Sequence, residues 1–158
     1  MTNYPRIELN ITFAPMIAEE LPFLLAVRNQ VRENLHDQNE FTLEDAAKWW
    51  QVTDSRYWII YSDQKMVGYF RVKHIADSCW QIGADVDPAF QRRGIASIAY
   101  PKFAREVLVP LGANDLELRV LKSNQAALAL YKKLGFLVQD ETESDYRMTS
   151  TVQSLIGM

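Results

Sequence analysis

Apolar and polar positions alternate or recur along the chain in patterns that predict a series of strands and helices. Residues 7–13 alternate in polarity, as a half-buried strand does. Residues 19–35 carry apolar side chains at helical spacing, which predicts an amphipathic helix. Residues 42–45 (Thr-Leu-Glu-Asp) resemble a capping box, so a short helix that carries Trp49 and Trp50 is expected to begin there.

The rest of the chain predicts a strand meander followed by alternating helices and strands. Two β-rich runs, 57–61 and 66–73, are separated by four polar residues and predict a hairpin. The later elements are a strand over 79–86, a helix over 94–109, a strand over 115–121, a helix from 124 to 135, and strands over 137–141 and 145–150. The order β-α-α-β-β-β-α-β-α-β-β predicts one α/β or α+β domain over 1–158, with a mixed sheet flanked by helices.

Composition and charge narrow the classes of partner. The chain has 158 residues, of which 48% are hydrophobic and 23% charged, as in an ordinary soluble domain. A net charge of -3 disfavours nucleic acid as a partner. Residues 1–5 lack the features of a signal peptide, and no apolar run reaches the roughly 18 residues of a membrane span. The single cysteine, Cys79, can form no internal disulfide, so we expect a cytoplasmic protein. Because no apolar run is long enough, we expect no membrane partner.

Residues 86–96 connect a predicted strand to a predicted helix and carry the features of an anion site. The start of a helix offers backbone N–H groups without intrahelical partners and the positive end of the helix dipole. Gly94 lets the backbone approach a phosphate closely, and Ala96 keeps the next turn uncrowded. Arg92 and Arg93 add positive charge. The alternative is an ordinary turn that Gly94 merely shapes.

Two motifs in this part of the chain resemble those of the GNAT acetyltransferases. Residues 91–96 (Gln-Arg-Arg-Gly-Ile-Ala) resemble the Q/R-x-x-G-x-G/A loop that binds the pyrophosphate of coenzyme A in that family. Residues 118–136 resemble the family pattern V-x-x-x-N-x-x-A-x-x-x-Y-x-x-x-G-F. The positions in register are Val120, Asn124, Ala127, Tyr131, Gly135 and Phe136. The resemblance covers residues 79–149 well and the N-terminal half only loosely.

The resemblance implies a GNAT-like fold, with a mostly antiparallel sheet of six to seven strands and about four helices, and acetyl-CoA as cofactor. It implies a cofactor site formed by Val86, Gln91, Arg92, Arg93, Gly94, Ile95, Ala96, Asn124, Ala127 and Tyr131, without a metal. Spacing gives separate support, because Asn124, Leu128 and Tyr131 lie on one helix face. Asn124 can contact the pantetheine or simply cap its helix.

Acetyl transfer from a thioester to an amine needs stabilisation of the carbonyl oxygen and a proton for the leaving sulfur. A backbone N–H near Val86, where the strand is expected to splay, can stabilise the oxygen. Tyr131 is the candidate acid, and the alternative is a core tyrosine.

The general base cannot be carried over from the family. Many members place a glutamate at a position that holds Trp80 or Gln81 here, or at the position of Arg119. Asp85 is the candidate base, because burial would raise the pKa of its carboxyl, and a hydrogen-bonded structural carboxylate is the equal alternative. Weaker candidates are Glu40, Glu117, His36 and His74.

The acceptor is expected to be a primary amine of a small molecule, of the amino-sugar, aminoglycoside or polyamine type, acetylated directly in a ternary complex. An acidic rim would attract a cationic amine, unless these residues form a solvated surface: Glu33, Asp37, Glu40, Glu44 and Asp45. The alternatives are a protein N-terminal acetyltransferase and a non-catalytic acyl-CoA sensor. Dimers are frequent among the relatives that the chain resembles, which makes a homodimer a further expectation.

Overall fold

A computed structural model describes residues 9–157, which form a seven-stranded mixed sheet. The strands are β1 (Ile11–Pro15), β2 (Arg56–Ser62), β3 (Lys65–Ala76), β4 (Cys79–Val86), β5 (Asp115–Leu121), β6 (Leu137–Glu141) and β7 (Asp145–Thr151). Their order is β1-β2-β3-β4-β5-β7-β6, and all neighbours are antiparallel except β4 and β5. The predicted α/β class with a mostly antiparallel sheet is therefore confirmed.

Five α-helices accompany the sheet in the described part of the chain. They are α1 (Leu21–Gln30), α2 (Leu43–Val52), α3 (Ile95–Phe103), α4 (Gln125–Lys133) and α5 (Val152–Ile156). A π-helical segment, Ala104–Leu108, continues α3. The short α5 was not predicted. It begins where the Thr151 hydroxyl accepts a hydrogen bond of 3.1 Å from the Ser154 N–H.

Two predicted boundaries near the N-terminus are wrong. The predicted helix over 19–35 is shorter, because Val31 leaves helical geometry and the Asn29 side chain hydrogen-bonds both backbone groups of Phe41 instead. The first strand lies at Ile11–Pro15 rather than 7–13, and residues 7 and 8 lie outside the described part. Its proline is tolerated because β1 is an edge strand.

The sheet is buried on both faces, because strand residues alternate between two cores. On β3, Phe70 belongs to the core shared with α3, α4 and α5, whereas Tyr69 belongs to a smaller core under α1. Phe70 stacks on Phe103 of α3 with ring centroids 4.0 Å apart. No helix of residues 9–157 combines the length and apolarity needed to cross a membrane.

The two central parallel strands separate after a short paired stretch, and this separation creates the site. β4 and β5 pair over three positions that end at Gln81 opposite Glu117. On its other side, β4 stays paired with β3 as far as Val86. β5 stays paired with β7 as far as Leu121. The backbone of residues 82–86 is therefore left without a strand partner on the side that faces β5.

Candidate active site

A cavity of about 1050 Å³ opens beside the separated strands. Its walls come from α1, the loop that follows α1, α2, the strands β2 to β5 and the start of α4. Three predicted site residues line it together with Asp85: Asn124, Ala127 and Tyr131. Asp85 and the predicted residues of α4 thus meet in one space, whereas Val86 and the predicted loop residues 91–96 are not part of its lining.

Tyr131 reaches the cavity from α4, whose first turn is held by Asn124. The Asn124 Oδ1 accepts a hydrogen bond of 3.3 Å from the Ala127 N–H, so this residue caps the helix and also lines the cavity. The Tyr131 hydroxyl is buried and accepts a hydrogen bond of 3.3 Å from the Tyr100 hydroxyl. Burial raises the pKa of Tyr131, against the effect of the Tyr100 hydrogen bond. Its phenol therefore keeps a proton at neutral pH.

Asp85 lies on β4 at the floor of the cavity. Its Oδ2 accepts a hydrogen bond of 2.6 Å from the Tyr69 hydroxyl. Burial raises the pKa of Asp85, whereas the Tyr69 hydrogen bond and the positive charges of Arg71 and Arg28 act in the opposite direction. The carboxyl is thus hydrogen-bonded, as a structural carboxylate would be, and it also faces the cavity.

The predicted phosphate loop has the backbone geometry of an anion cradle. Gly94, the residue that precedes α3, adopts φ 77° and ψ 11° in the left-handed region. A Cβ at this glycine would meet no atom within 4 Å, so the backbone is open to a ligand. Arg92 is also left-handed, with φ 64°, and is exposed. The Ile95 side chain is buried in the core, which leaves only its backbone N–H for a ligand.

The start of the loop is fixed by two side chains. The Gln91 Nε2 donates a hydrogen bond of 3.0 Å to the Val86 carbonyl, which ties the loop to the end of β4. The Asp87 Oδ1 accepts one of 3.0 Å from the Ala89 N–H. The Arg93 guanidinium lies 5.4 Å from the centre of the Phe90 ring. The loop residues 91–96 are outside the lining of the large cavity, and Arg93 and Ile95 line a smaller, separate pocket of about 150 Å³.

The weaker base candidates fall into two groups. His36 and Glu40 line the cavity, and the His36 Nε2 lies 2.9 Å from the buried Asp145 carboxylate. Glu117 is paired with Arg147 at 3.5 Å and does not line the cavity. His74 also lies outside the lining, where its Nε2 is 2.7 Å from the Asp77 carbonyl oxygen. Geometry therefore leaves Asp85, His36 and Glu40 as residues that a ligand in the cavity could reach.

The expected acidic rim is only partly present. Asp37, Glu40 and Asp45 line the cavity, whereas Glu33 and Glu44 do not. The same walls carry basic side chains, namely Arg28, Lys48, Arg71 and Arg119. The prediction that acidic residues around the cavity attract a cationic amine was incomplete, because the fold also brings basic residues from α1, α2, β3 and β5 to the cavity.

Three cavity residues on β2 and β3 were missed from the sequence, namely Tyr57, Tyr69 and Arg71. The signal that could have found them is strand register. Tyr69 faces Asp85, and Arg71 lies between Tyr57 on one side and Gly83 on the other. Alternation along a strand puts Tyr69 and Arg71 on the same face of the sheet as Asp85. Trp49, on the predicted short helix, lines the cavity and packs edge-on against Tyr57 with ring centroids 5.1 Å apart.

Comparison with known proteins places these features among acetyltransferases. Residues 23–136 match the acetyltransferase (GNAT) family. The chain is 22% identical over 141 residues to acetyltransferase PseH from Campylobacter jejuni subsp. jejuni serotype O:23/36 (strain 81-176), with 86% of this chain and 88% of that protein covered. It is 36% identical over 75 residues to the ribosomal protein bS18-alanine N-acetyltransferase of Salmonella typhimurium (strain LT2), with 48% of this chain and 50% of that protein covered.

The fold is also similar to a solved structure that holds both a cofactor and an amine. This is the crystal structure of spermidine N-acetyltransferase from Vibrio cholerae in complex with CoA and spermine. The TM-score is 0.80 at 14% identity, and the match covers 92% of this chain and 98% of that chain. At this identity the likeness concerns the fold.

Proposed function

The chain belongs to the acetyltransferase (GNAT) family, and on this premise we propose that it transfers the acetyl group of acetyl-CoA directly to a primary amine of a small molecule. The observation that carries the proposal is the separation of β4 from β5. Asp85 and Tyr131 line the cavity at this separation, and the chain continues from the end of β4 into a loop with a left-handed glycine, which supports the proposal.

The residues around this opening fit coenzyme A. The left-handed loop at Arg92 and Gly94 would hold the pyrophosphate through backbone N–H groups at the start of α3. The unpaired edge of β4, residues 82–86, offers N–H and carbonyl groups to the amides of pantetheine. Asn124 and Ala127 form the facing wall. When bound, acetyl-CoA supplies an activated acyl group on a sulfur leaving group.

The chain's own residues would supply the proton transfers. Tyr131 holds its proton at neutral pH and can donate it from its hydroxyl to a departing sulfur. Asp85 can accept a proton from the ammonium form of the acceptor, because its carboxylate faces the cavity and its raised pKa makes it a stronger base. Backbone N–H groups near Val86, on the edge of β4 that has no strand partner, would stabilise the carbonyl oxygen.

Two alternatives have specific support. Similarity to the alanine N-acetyltransferase favours a protein N-terminus as acceptor. The hydrogen bond from Tyr69 to Asp85 favours a non-catalytic acyl-CoA sensor, in which Asp85 would serve only the fold. A panel of small amines and N-terminal peptides separates these alternatives.

The first test is the release of free thiol from acetyl-CoA in the presence of aminoglycosides, amino-sugars, polyamines and N-terminal peptides. We expect release that depends on a small amine. Tyr131→Phe should lower kcat roughly 10²- to 10⁴-fold, because the variant has no proton to donate, while CoA binding measured by calorimetry stays intact.

The matched control is Tyr61→Phe. The Tyr61 hydroxyl bonds Glu20 at 3.0 Å and lies outside the cavity lining, so activity should be unchanged. CoA binding without turnover on any amine would favour the sensor. Turnover confined to peptides would favour the N-terminal acetyltransferase, and absence of CoA binding would overturn the proposal altogether.

A further inference from the structure

The charged side chains of the cavity differ in whether they already have partners. Arg28 lies 3.8 Å from the Asp37 carboxylate and also donates to backbone carbonyls. The other basic residues Lys48 and Arg119 are paired with Glu44 at 3.4 Å and with Asp145 at 3.5 Å. Arg71 is different, because no carboxylate of residues 9–157 lies within 4 Å of its guanidinium.

The surroundings of Arg71 keep its guanidinium open to the cavity. On one side its neighbour is Tyr57, where burial raises the pKa of the phenol to about 12 against the charge of Arg71 and a side-chain hydrogen bond with it. On the other side its neighbour is Gly83, which has no side chain to cover the remaining donors. A Cβ at Gly83 would lie 3.7 Å from the Arg71 Nη2, so the guanidinium lies against the backbone of β4. Arg71 is exposed, and it lines the same cavity as Asp85 and Tyr131.

An accessible arginine on a cavity wall is suited to an anion. The guanidinium is planar and always charged, and it can donate two parallel hydrogen bonds to a carboxylate or a phosphate. The nearest carboxylate on the same face, Asp85, is already bonded to Tyr69. The charge of Arg71 acts on the Asp85 carboxyl, but within residues 9–157 no carboxylate pairs with the guanidinium at contact distance, so a ligand anion can fill that position.

We propose that Arg71 is a specificity-determining residue that binds an anionic group, a carboxylate or phosphate, on the acceptor amine. This rests on the proposed function. Asp85 faces Tyr69, and Gly83 faces Arg71 two positions along the strands. Positions two residues apart on a strand are about 6.6 Å apart. One small molecule can therefore place its amine beside Asp85 and its anionic group beside Arg71.

The test compares the binding of acceptors that differ only in the anionic group. Each is added to the enzyme with CoA bound, because CoA carries no acetyl group and no turnover can occur. One pair is glucosamine 6-phosphate and glucosamine, and the other is γ-aminobutyrate and its amide. Calorimetry should show that at least one anionic member binds the wild type roughly tenfold to a hundredfold more tightly than its partner, as expected for a charge-assisted hydrogen bond. The pair that shows the difference tells phosphate from carboxylate.

Variants assign the preference to the guanidinium. Arg71→Gln should remove the difference within the pair without changing the binding of CoA, and any effect through the charge near Asp85 should be common to both members and cancel in that difference. Arg71→Lys keeps the charge but not the paired donors, so it should retain part of the difference. Arg147→Gln is the matched control, because Arg147 is paired with Asp140 and Glu117 outside the cavity lining, and it should leave the preference unchanged.

The outcomes distinguish this inference from the proposed function. Equal affinity for both members of each pair, including no measurable binding at millimolar concentration, would overturn the role of Arg71. Equal weakening of both members by Arg71→Gln would do the same, since it would indicate a structural role. Thiol release with neutral amines would leave the proposed function intact in either case. Failure to bind CoA would instead remove the proposed function.

Discussion

At the scale of single residues, burial acts differently on the two proposed catalytic groups, Tyr131 and Asp85. Burial raises the pKa of both side chains. The phenol is protonated at neutral pH in any case, and its raised pKa makes it a weaker acid. For the carboxyl, a raised pKa increases the affinity of the ionised form for a proton, which suits a base. Burial therefore suits the proposed base, whereas the proposed acid depends on the position of its hydroxyl beside the cavity.

Asp85→Asn should abolish most activity while it stabilises the protein at neutral pH. In the folded protein, burial raises the pKa of Asp85 above its ordinary value of 3.8. The folded state thus binds more protons than the unfolded state, and stability falls as pH rises from about 3.8 through the folded pKa. Asparagine carries no charge, so the variant does not lose stability by burying a carboxylate, and its side-chain oxygen can still accept the hydrogen bond from Tyr69. The melting temperature at pH 7 should rise by roughly 2–4 °C for each kcal/mol by which the free energy of unfolding increases.

The measurement is thermal unfolding at several pH values, together with thiol release. The stabilisation should disappear near pH 3.8 and below, where Asp85 is protonated in both states. Asp54→Asn serves as the control, because the Asp54 side chain is 77% exposed and lies outside the cavity lining. Unchanged turnover in Asp85→Asn would exclude Asp85 as the base and direct attention to His36 and Glu40.

At the scale of elements, the loop between β4 and α3 depends on a backbone conformation that side chains disfavour. Gly94→Ala places a Cβ on a residue with φ 77°, which costs on the order of 1–2 kcal/mol. The loop can relieve this strain by leaving its left-handed geometry, and the N–H groups would then no longer converge. We expect CoA affinity to fall at least tenfold, as measured by calorimetry.

Gly112→Ala is a matched control for that prediction. Gly112 has a similar φ of 82°, and a Cβ there also meets no atom within 4 Å. It precedes β5 and is absent from the cavity lining. Both variants should lose similar stability in urea, but only Gly94→Ala should lose CoA affinity. Equal CoA affinity in the two variants would show that the loop does not hold the cofactor.

At the scale of the whole molecule, the loop after α1 is tied to the far end of the sheet. Arg28 donates hydrogen bonds to the carbonyls of Asp37 and Asn39 within this loop. His36 in the same loop bonds the buried Asp145 of β7, which is 109 residues away in sequence. One wall of the cavity is thus held by a contact between residue 36 and residue 145, which lie in the N-terminal and C-terminal parts of the chain.

Asp145→Asn should loosen this wall. Hydrogen bonds from the Thr142 hydroxyl and from His36, with the charge of Arg119, lower the pKa of Asp145. A lowered folded pKa contributes stability above about pH 3.8, and this contribution is lost as pH falls through the folded pKa. The variant should lose roughly 1–3 kcal/mol at pH 7 in urea unfolding. The acceptor KM should rise, whereas CoA affinity should not change.

The control is Asp140→Asn, which breaks an exposed ion pair with Arg147 away from the cavity. It should change stability by less than about 1 kcal/mol and leave the KM for acceptor intact. If Asp145→Asn lowers stability but the acceptor KM stays the same, the contact between His36 and Asp145 serves only the fold.

A cytoplasmic location, a homodimer and one domain over the full chain remain predictions.

Much of this protein was determined by local sequence. Strand alternation, helical spacing and the two motifs around Gly94 and Tyr131 were enough to predict the fold class and the family. These signals succeed because they depend on neighbours a few residues apart. The boundaries of α1 and the presence of α5 were missed, because contacts with Asn29 and the cap at Thr151 decide where those helices stop and start.

Only the tertiary structure decided which side chains share the cavity. The hydrogen bond between Tyr69 and Asp85, the open guanidinium of Arg71 and the tie from His36 to Asp145 all join separate strands and loops. Each depends on strand register and on where β4 separates from β5. Register is a long-range property that a local pattern does not specify, so the chemistry of the acceptor side becomes visible only when the sheet is assembled.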